Sequence, residues 1–399
     1  MSLNLRYQVS EAEVASVLAD LVALPSVNPF HESSLSPPYG EGRVADYVER
    51  YGRDLGLKVI RQSVLPGRDN ILLRAEGRDA GRCLLFECHM DTVPGWLAPP
   101  DPFQPRIADG RLYGRGACDV KGTLAAMLIA LRLIVESGRP PTRSLVLAAT
   151  VDEEHQARGV IELVRAIQAG QLPTVDAAVV GEPTELSVIT AHKGCIRWRL
   201  TTRGQSAHSS RAALGTNAID GMVEVLVALR RDLAARLEKR NHPLVGQPSL
   251  CVCTIHGGVA VNVVPDLCVA EIDRRTIPTE TLESVTSEVM DVIKQVVRSN
   301  SNVAVELGPP FVVDPSLSTP SGAPIVRQLC EAATVVVGRP AIAGVSFGTD
   351  AGKLSAGGIP SVVFGPGSID LAHTVDEHVR LSDVARAAEI LAQLALSSG

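Results

Sequence analysis

The feature that most restricts what this chain can fold into is a repeated juxtaposition of apolar runs and reactive side chains. Runs of strand length end abruptly, and acids or histidines follow within a few residues. In "LLFECHMDTVP" (84–94) the run leads to His89 and Asp91, two residues apart, before a turn at Pro94. Asp119 occupies such a place in "GRGACDVKG", and Asp152, Glu153 and Glu154 follow "SLVLAATV" (144–151). Glu182 closes "DAAVVGE" (176–182), and His373 follows a run ending at Phe364.

Between these runs the apolar residues recur at helical spacing. "SEAEVASVLADLVAL" opens with a serine cap and a glutamate three residues on, and further helices are predicted over 41–56, 122–136, 157–169, 323–336 and 381–396. Alternation of this kind predicts an α/β fold, with helices flanking a mixed, mostly parallel sheet. The middle of the chain reads differently. "GCIRWRLTTRG" (194–204) and "LCVAEIDRRTI" (267–277) alternate apolar with polar residues, as half-exposed antiparallel strands do, and helices are expected near 215–238 and 280–299. A chain of 399 residues exceeds one ordinary core. The expected organisation is a catalytic domain made of 1–189 and 309–399, with an α+β domain inserted over 190–308.

Composition removes several classes of function. With aromatics at 3%, the cores must be aliphatic. A net charge of −6 argues against nucleic acid or an anionic membrane as partner. The most apolar stretch, 122–135, is too short for a membrane span and contains Arg132. The N-terminus lacks a basic-then-apolar signal, and the eight cysteines show no paired framework, so reduced thiols and a cytoplasmic location are expected.

In open α/β sheets, ligands bind beyond the carboxyl ends of the strands, so residues distant in sequence can converge there. Two imidazoles and several carboxylates without cysteine make a mixed nitrogen and oxygen donor set, suited to Zn²⁺, Co²⁺ or Mn²⁺. Several carboxylates packed together repel; two divalent ions about 3.5–4 Å apart, sharing one carboxylate, would relieve that repulsion. The side chains of Glu153 and Glu154 diverge, so one can hold metal while the other reaches water. Taken singly, each motif reads as ordinary: a turn at His89, a helix cap at Asp152, a turn at Glu182, a loop histidine at 373. Their recurrence at strand ends is what points to a site.

The motifs "HMDTVP" (89–94), "GRGACDVKG" (114–122), "DEEHQARG" (152–159), "GEPT" (181–184), "RGQSAHSSRAALGTNAI" (203–219) and "AHT" (372–374) together resemble the M20 metallopeptidases and amidohydrolases. The resemblance spans nearly the whole chain in the family's order. It implies that His89, Asp119 and Glu182 bind one divalent ion, and that Asp119 bridges to a second ion held by Glu154 and His373. It further implies Glu153 as general base and proton donor, with Asp91 hydrogen-bonded to His89 and fixing its tautomer. The inserted domain resembles the family's lid and dimerisation domain, which implies a homodimer in which His208 helps hold the oxyanion of the partner's site. By the same resemblance Asn262 and Arg275 contact substrate, Arg274 next door leaving the choice of arginine open. The resemblance also implies that Gly348 and Thr349, in "SFGTDAG", belong to a substrate-binding loop. Val120 departs from the methionine of many relatives and stays apolar.

The implied reaction is metal-assisted amide hydrolysis, with closure needed to assemble groups from both domains. The tail from "GTDAGKLSAGG" onward resembles acetylornithine deacetylase relatives, which favours a small N-acyl amino acid, N-acetyl first. A desuccinylase, then a carboxypeptidase or dipeptidase, are the alternatives. A non-enzymatic binding module is disfavoured because every implied ligand and the base are present. No Gly-x-Ser-x-Gly elbow occurs at a strand end to suggest a serine hydrolase.

Overall fold

The structure is a computed structural model describing residues 8–30, 32, 35–96, 100–299 and 303–397. The chain divides into two compact units. One comprises residues 1–190, 319–343 and 349–399, the other 191–318 and 344–348.

In the first unit the strands are β1 (Lys58–Leu65), β2 (Arg68–Ala75), β3 (Asp79–His89), β4 (Arg106–Ala108), β5 (Arg111–Tyr113), β6 (Arg143–Thr150), β7 (Thr174–Gly181) and β8 (Val188–His192). The last of these runs two residues past the unit's boundary. In the second unit lie β9 (Gly194–Arg203), β10 (Ser249–Gly257), β11 (Leu267–Thr276), β12 (Ala304–Leu307), β13 (Val312–Asp314) and β14 (Leu317–Ser318). Then come β15 (Ile342–Val345), β16 (Ser361–Phe364) and β17 (His378–Arg380). The helices are α1 (Glu11–Val22), α2 (Gly42–Asp54), α3 (Gly122–Glu136), α4 (Arg158–Gln168), α5 (Ala218–Ala228), α6 (Ala234–Leu237), α7 (Leu282–Ser299), α8 (Pro324–Val337), α9 (Asp350–Ala356) and α10 (Leu381–Ser397).

The main sheet runs in the order β1-β2-β6-β3-β7-β16-β8. Its centre, β6-β3-β7-β16, is parallel, and the flanking pairs are antiparallel. This is the mixed, mostly parallel sheet with flanking helices that the alternation predicts. Central strands are covered on both faces, which is why Cys83–Cys88 is an unbroken buried run. Leu84, Phe86, Leu145, Leu147 and Val179 enter a core shared with α1, α3, α8 and α10. Their neighbours Leu85, Val146 and Val180 are equally buried, and α9 packs on β7 and β16. The expected cap on α1 is present: Ser10 Oγ accepts from the Glu13 amide at 3.2 Å. A small antiparallel sheet, β17-β5-β4, completes this unit.

The second unit is a five-stranded antiparallel sheet, β10-β11-β9-β12 with β13 also on β9. Its core includes Trp198, Met222, Ile272 and Val289, from β9, α5, β11 and α7. Along β11 burial alternates residue by residue, as the sequence pattern predicts, whereas β10 is exposed along most of its length. The long helix expected near 215–238 is interrupted: a π-helical turn over Leu229–Leu233 separates α5 from α6.

The turn after β6 is braced from outside. Asn70 on β2 accepts from the Val151 amide (3.1 Å) and donates to the Gly159 carbonyl (2.9 Å), while Gly159 N–H donates to Val151 O at 3.0 Å. A Cβ at Gly159 would lie 2.4 Å from Val151 O and 2.8 Å from Asn70 Oδ1. Gly159→Ala is therefore expected to lower unfolding free energy by about 1–3 kcal/mol, the usual penalty of overpacking. Urea denaturation would measure it, and an unchanged midpoint would mean the turn relaxes freely.

Candidate metal centre

Four central strands run parallel, so their carboxyl ends share one edge, and the residues just beyond them meet there. His89 is the last residue of β3. Glu182 follows β7 on one side of it, and Glu153 and Glu154 follow β6 on the other. His373 arrives after β16 through a 3₁₀ turn at Ile369–Leu371, with φ of 63°. Asp119 comes from the turn leading into α3, where its backbone leaves helical geometry (φ −118°, ψ 91°) and the Asp119–Val120 peptide is cis.

These positions bring the sequence-derived residues into two groups. One donor atom each from His89, Asp119 and Glu182 lie within 4.8 Å of one another, and so do atoms of Asp119, Glu154 and His373. Asp119 belongs to both, and its two oxygens face different imidazoles. His89 Nε2 is 3.2 Å from Oδ1, and His373 Nε2 is 3.2 Å from Oδ2. His373 Nε2 also lies 3.1 Å from Glu154 Oε1. His89 Nδ1 is 2.9 Å from the Asp91 carbonyl, which can only accept, so Nδ1 carries a proton and Nε2 is directed at the cluster.

The electrostatics follow from crowding like charges out of water. Burial raises Glu182 well above the carboxylate range, with the Asp119 charge adding to it. Burial and Asp119 likewise raise Glu154. Burial pushes Glu153 up to about 8, reinforced by Glu154 and opposed by His89. Asp119 goes the other way: burial opposes ionisation, but hydrogen bonds from His373 and His89 hold it well below the ordinary carboxylate range. Burial would depress His89, yet Asp119 and Asp91 carry it well above the imidazole range. Hydrogen bonds to Asp119 and Glu154 push His373 up to about 10. The donor set is two imidazoles and three carboxylates. Among the described residues no thiol joins either group, although Cys88 and Cys118 are near in sequence; burial raises both thiols. A divalent cation of borderline hardness fits this set and would offset the repulsion that raises Glu154 and Glu182.

Comparison with known proteins agrees with this geometry. Residues 85–397 match the model of peptidase family M20/M25/M40. The chain belongs to that family. It is a metal-dependent amidohydrolase. The chain is 31% identical over 383 residues to acetylornithine deacetylase of Edwardsiella ictaluri, covering 94% of each protein. It is 28% identical over 403 residues to a probable succinyl-diaminopimelate desuccinylase of Staphylococcus epidermidis, covering 93% of this chain and 94% of that protein. Aminopeptidase PepT of Bacillus cereus has the same fold, with a TM-score of 0.76 at 20% identity over 97% of this chain and 98% of that one.

This M20 chain braces its cluster with Asp91 and with side chains that sequence reasoning missed, Asn28, Glu41, Arg68 and Glu377. The Asp91 carboxylate accepts from the backbone amides of Glu153 (3.1 Å, Oδ1) and Glu154 (3.0 Å, Oδ2) and from Asn28 Nδ2 (2.7 Å, Oδ2). Its Oδ1 stands 3.5 Å from His89 Nδ1, so the closer contact to the imidazole is through the Asp91 carbonyl. Asn28 also donates to Asp152 at 3.2 Å, and Asp152, at φ 71°, is paired with Arg68 at 3.1 Å. Arg68 in turn grips Glu41 through two nitrogens, at 2.5 and 2.7 Å. Glu377 fixes the Asp119 turn: its Oε1 accepts from the Cys118 and Asp119 amides at 3.0 Å each, and Oε2 accepts from Arg115 at 2.5 Å.

The remaining sequence candidates are not members of either donor group. His208, Asn262, Arg275 and Gly348 belong to the second unit, while Thr349 belongs to the first. His208 caps a 3₁₀ turn, its Nδ1 accepting from Ser210, and the neighbouring Ser209 amide donates to Asn262 O at 3.0 Å. Arg274 is fully buried and bound to Glu280 at 2.5 Å, whereas Arg275 is half-buried and bonded to Asp273 at 2.9 Å. Of the two, Arg275 is the accessible guanidinium. The hydroxyl of Thr349 caps α9, accepting from Ala351 N–H at 3.2 Å.

His373, pushed up to about 10 by its hydrogen bonds to Asp119 and Glu154, holds a proton at neutral pH, and a cation must displace it. Zn²⁺ added at pH 7 to chelator-stripped protein is expected to release protons in weakly buffered solution. Its apparent affinity should climb between pH 6 and 9, below the value near 10 at which His373 sheds its proton. Flat affinity across that window would contradict the arrangement.

Proposed function

We propose that the chain removes a short acyl group, acetyl first, from the α-nitrogen of an amino acid. His89, Asp119 and Glu182 would hold one divalent ion, and Asp119, Glu154 and His373 a second. The observation that carries this assignment is Asp119, whose two oxygens face two different imidazoles. Zn²⁺ suits the donor set, and Co²⁺ or Mn²⁺ would also be accepted. Bound there, the ions would act as Lewis acids that polarise the scissile carbonyl and acidify water.

In this reading Glu153 takes the proton from the attacking water and returns it to the departing amine. A carboxyl whose proton affinity sits near neutrality can serve both steps. Asp91 keeps Glu153 and Glu154 in register by binding both of their amides, and it helps fix the His89 tautomer. From the resemblance, His208 serves the oxyanion of a partner subunit, and Asn262, Arg275, Gly348 and Thr349 bind the amino-acid part. The half-buried Arg275 offers a bidentate partner for a carboxylate.

The 31% identity to an acetylornithine deacetylase supports the acetyl reading. The similarity to a probable desuccinylase makes N-succinyl diamino acids the second class to test. A homodimer through the second unit is part of the proposal. In its support, β10 is an edge strand carrying exposed Val252 and Ile255, and such edges invite pairing. Free thiols at all eight cysteines fit a cytoplasmic setting. No helix among the described residues is long and apolar enough to cross a membrane.

Two measurements test the reading. Metal-loaded protein assayed on N-acetylornithine, other N-acetyl amino acids, N-succinyl-diaminopimelate and dipeptides is expected to turn over the N-acetyl class best. A dipeptide preference would replace that choice. Glu153→Gln is expected to lower kcat roughly 100- to 10,000-fold with metal content unchanged by elemental analysis. Full turnover in that variant would remove Glu153 from the chemistry.

A further inference from the structure

Apart from the metal cluster, the first unit carries a cavity of about 610 Å³ whose walls include Arg111, Arg339, Arg380 and Arg386. None of the cluster residues lines it. Only two carboxylates, Glu185 and Asp383, share its walls, and Asp383 is already 3.2 Å from Arg386. Arg111, Arg339 and Arg380 have no carboxylate within ion-pair distance among the described residues. Such a concentration of uncompensated guanidinium is unexpected in a chain whose net charge is −6.

The register makes it more so. In the antiparallel pair β5–β17, Arg380 stands directly opposite Arg111. Residues opposite one another project from the same face with Cβ atoms about 5 Å apart, and like charges so placed destabilise the pair. The pairing is nevertheless held by its neighbours, Val379 with Leu112 and His378 with Tyr113, both apolar residues of the first being buried. Two further features mark the rim. Glu185 and Leu186 adopt positive φ, 53° and 63°, conformations that side-chain-bearing residues rarely take and that concentrate at functional sites. Ser187 and Ser368 add hydroxyls to the wall.

We propose that this cavity is a binding site for a small dianion, a phosphate monoester or a dicarboxylate, clasped between Arg111 and Arg380. Planar guanidinium groups match both oxyanions through paired N–H donors. An oxyanion between the two arginines converts a repulsive cross-strand pair into a bridged one, and Arg339 supplies a third positive charge. The site is independent of the hydrolytic centre and of the substrate assigned to it.

The test uses the full chain loaded with metal, and compares it with the R111Q/R380Q double variant. Inorganic phosphate and succinate are the probes, with chloride at matched ionic strength as control. In the wild type, at least one probe is expected to bind saturably by calorimetry and to raise the unfolding temperature beyond the chloride control. The double variant should bind that probe at least tenfold more weakly and lose the temperature rise. Without added dianion its unfolding temperature should equal or exceed that of the wild type, because the like-charge opposition is gone. Saturation by phosphate alone would assign phosphate esters, and by succinate alone dicarboxylates. Equal binding by both proteins would place the anion elsewhere, at the metal cluster for instance, and overturn the proposal. So would binding by neither probe, or a double variant that unfolds at lower temperature in chloride.

Discussion

Asp119 is the point on which the site depends. Its carboxylate faces one imidazole with each oxygen, in a buried pocket shared with the carboxyl groups of Glu154 and Glu182, whose ionisation burial and the Asp119 charge oppose. Such a group holds its place only if its backbone is fixed and its charge is met. Glu377 does the first, by accepting the amides of Cys118 and Asp119 while bound to Arg115. The imidazoles do the second among the protein's own groups, and divalent cations are the natural further partners of a donor set of this kind. The parallel sheet supplies the geometry, since β3, β6, β7 and β16 end along one edge.

A second carboxylate, Asp91, arranges the side of the cluster where water would react. It accepts from two consecutive amides, so Glu153 and Glu154, the proposed base and a proposed ligand, are set by one anchor. That anchor is connected through Asn28 to Asp152, and from there to the buried pair Arg68–Glu41. Breaking a buried pair of this kind strands a charge in a low-dielectric interior, and such losses are among the more costly in proteins. The backbone of residues 152–154, with its positive φ at Asp152, is thus over-determined by contacts.

What could be read from residues alone varied with how local each role is. The five residues gathered in the two groups are among the eight read beyond apolar runs. His89, Glu154, Glu182 and His373 do end or follow strands, which announce themselves by hydrophobicity and turn residues, whereas Asp119 comes instead from the turn into α3. Asn28, Glu41, Arg68 and Glu377 gave no such signal. Asn28 meets Asp91 across 63 positions, and Glu377 meets Asp119 across 258, so neither has a neighbour in sequence that betrays its task. The choice between Arg274 and Arg275 was within reach. Arg274 is in phase with Cys268, Ala270 and Ile272, and period-two alternation places it on the buried face of β11. The interruption at 229–233 was not, since a π turn keeps the apolar spacing of a helix nearly intact.

Most secondary elements, the sheet class, the family and the chemical types of the donor set were legible in the residues alone. These follow from periodicity and residue chemistry, which act over a few positions at a time. That the two oxygens of Asp119 face separate imidazoles, that Asp91 anchors two amides, and that Arg111 stands opposite Arg380 became visible in the folded chain alone. Each of those facts is a register or a convergence between segments remote along the chain. Long-range packing fixes such relations, and no local pattern encodes them.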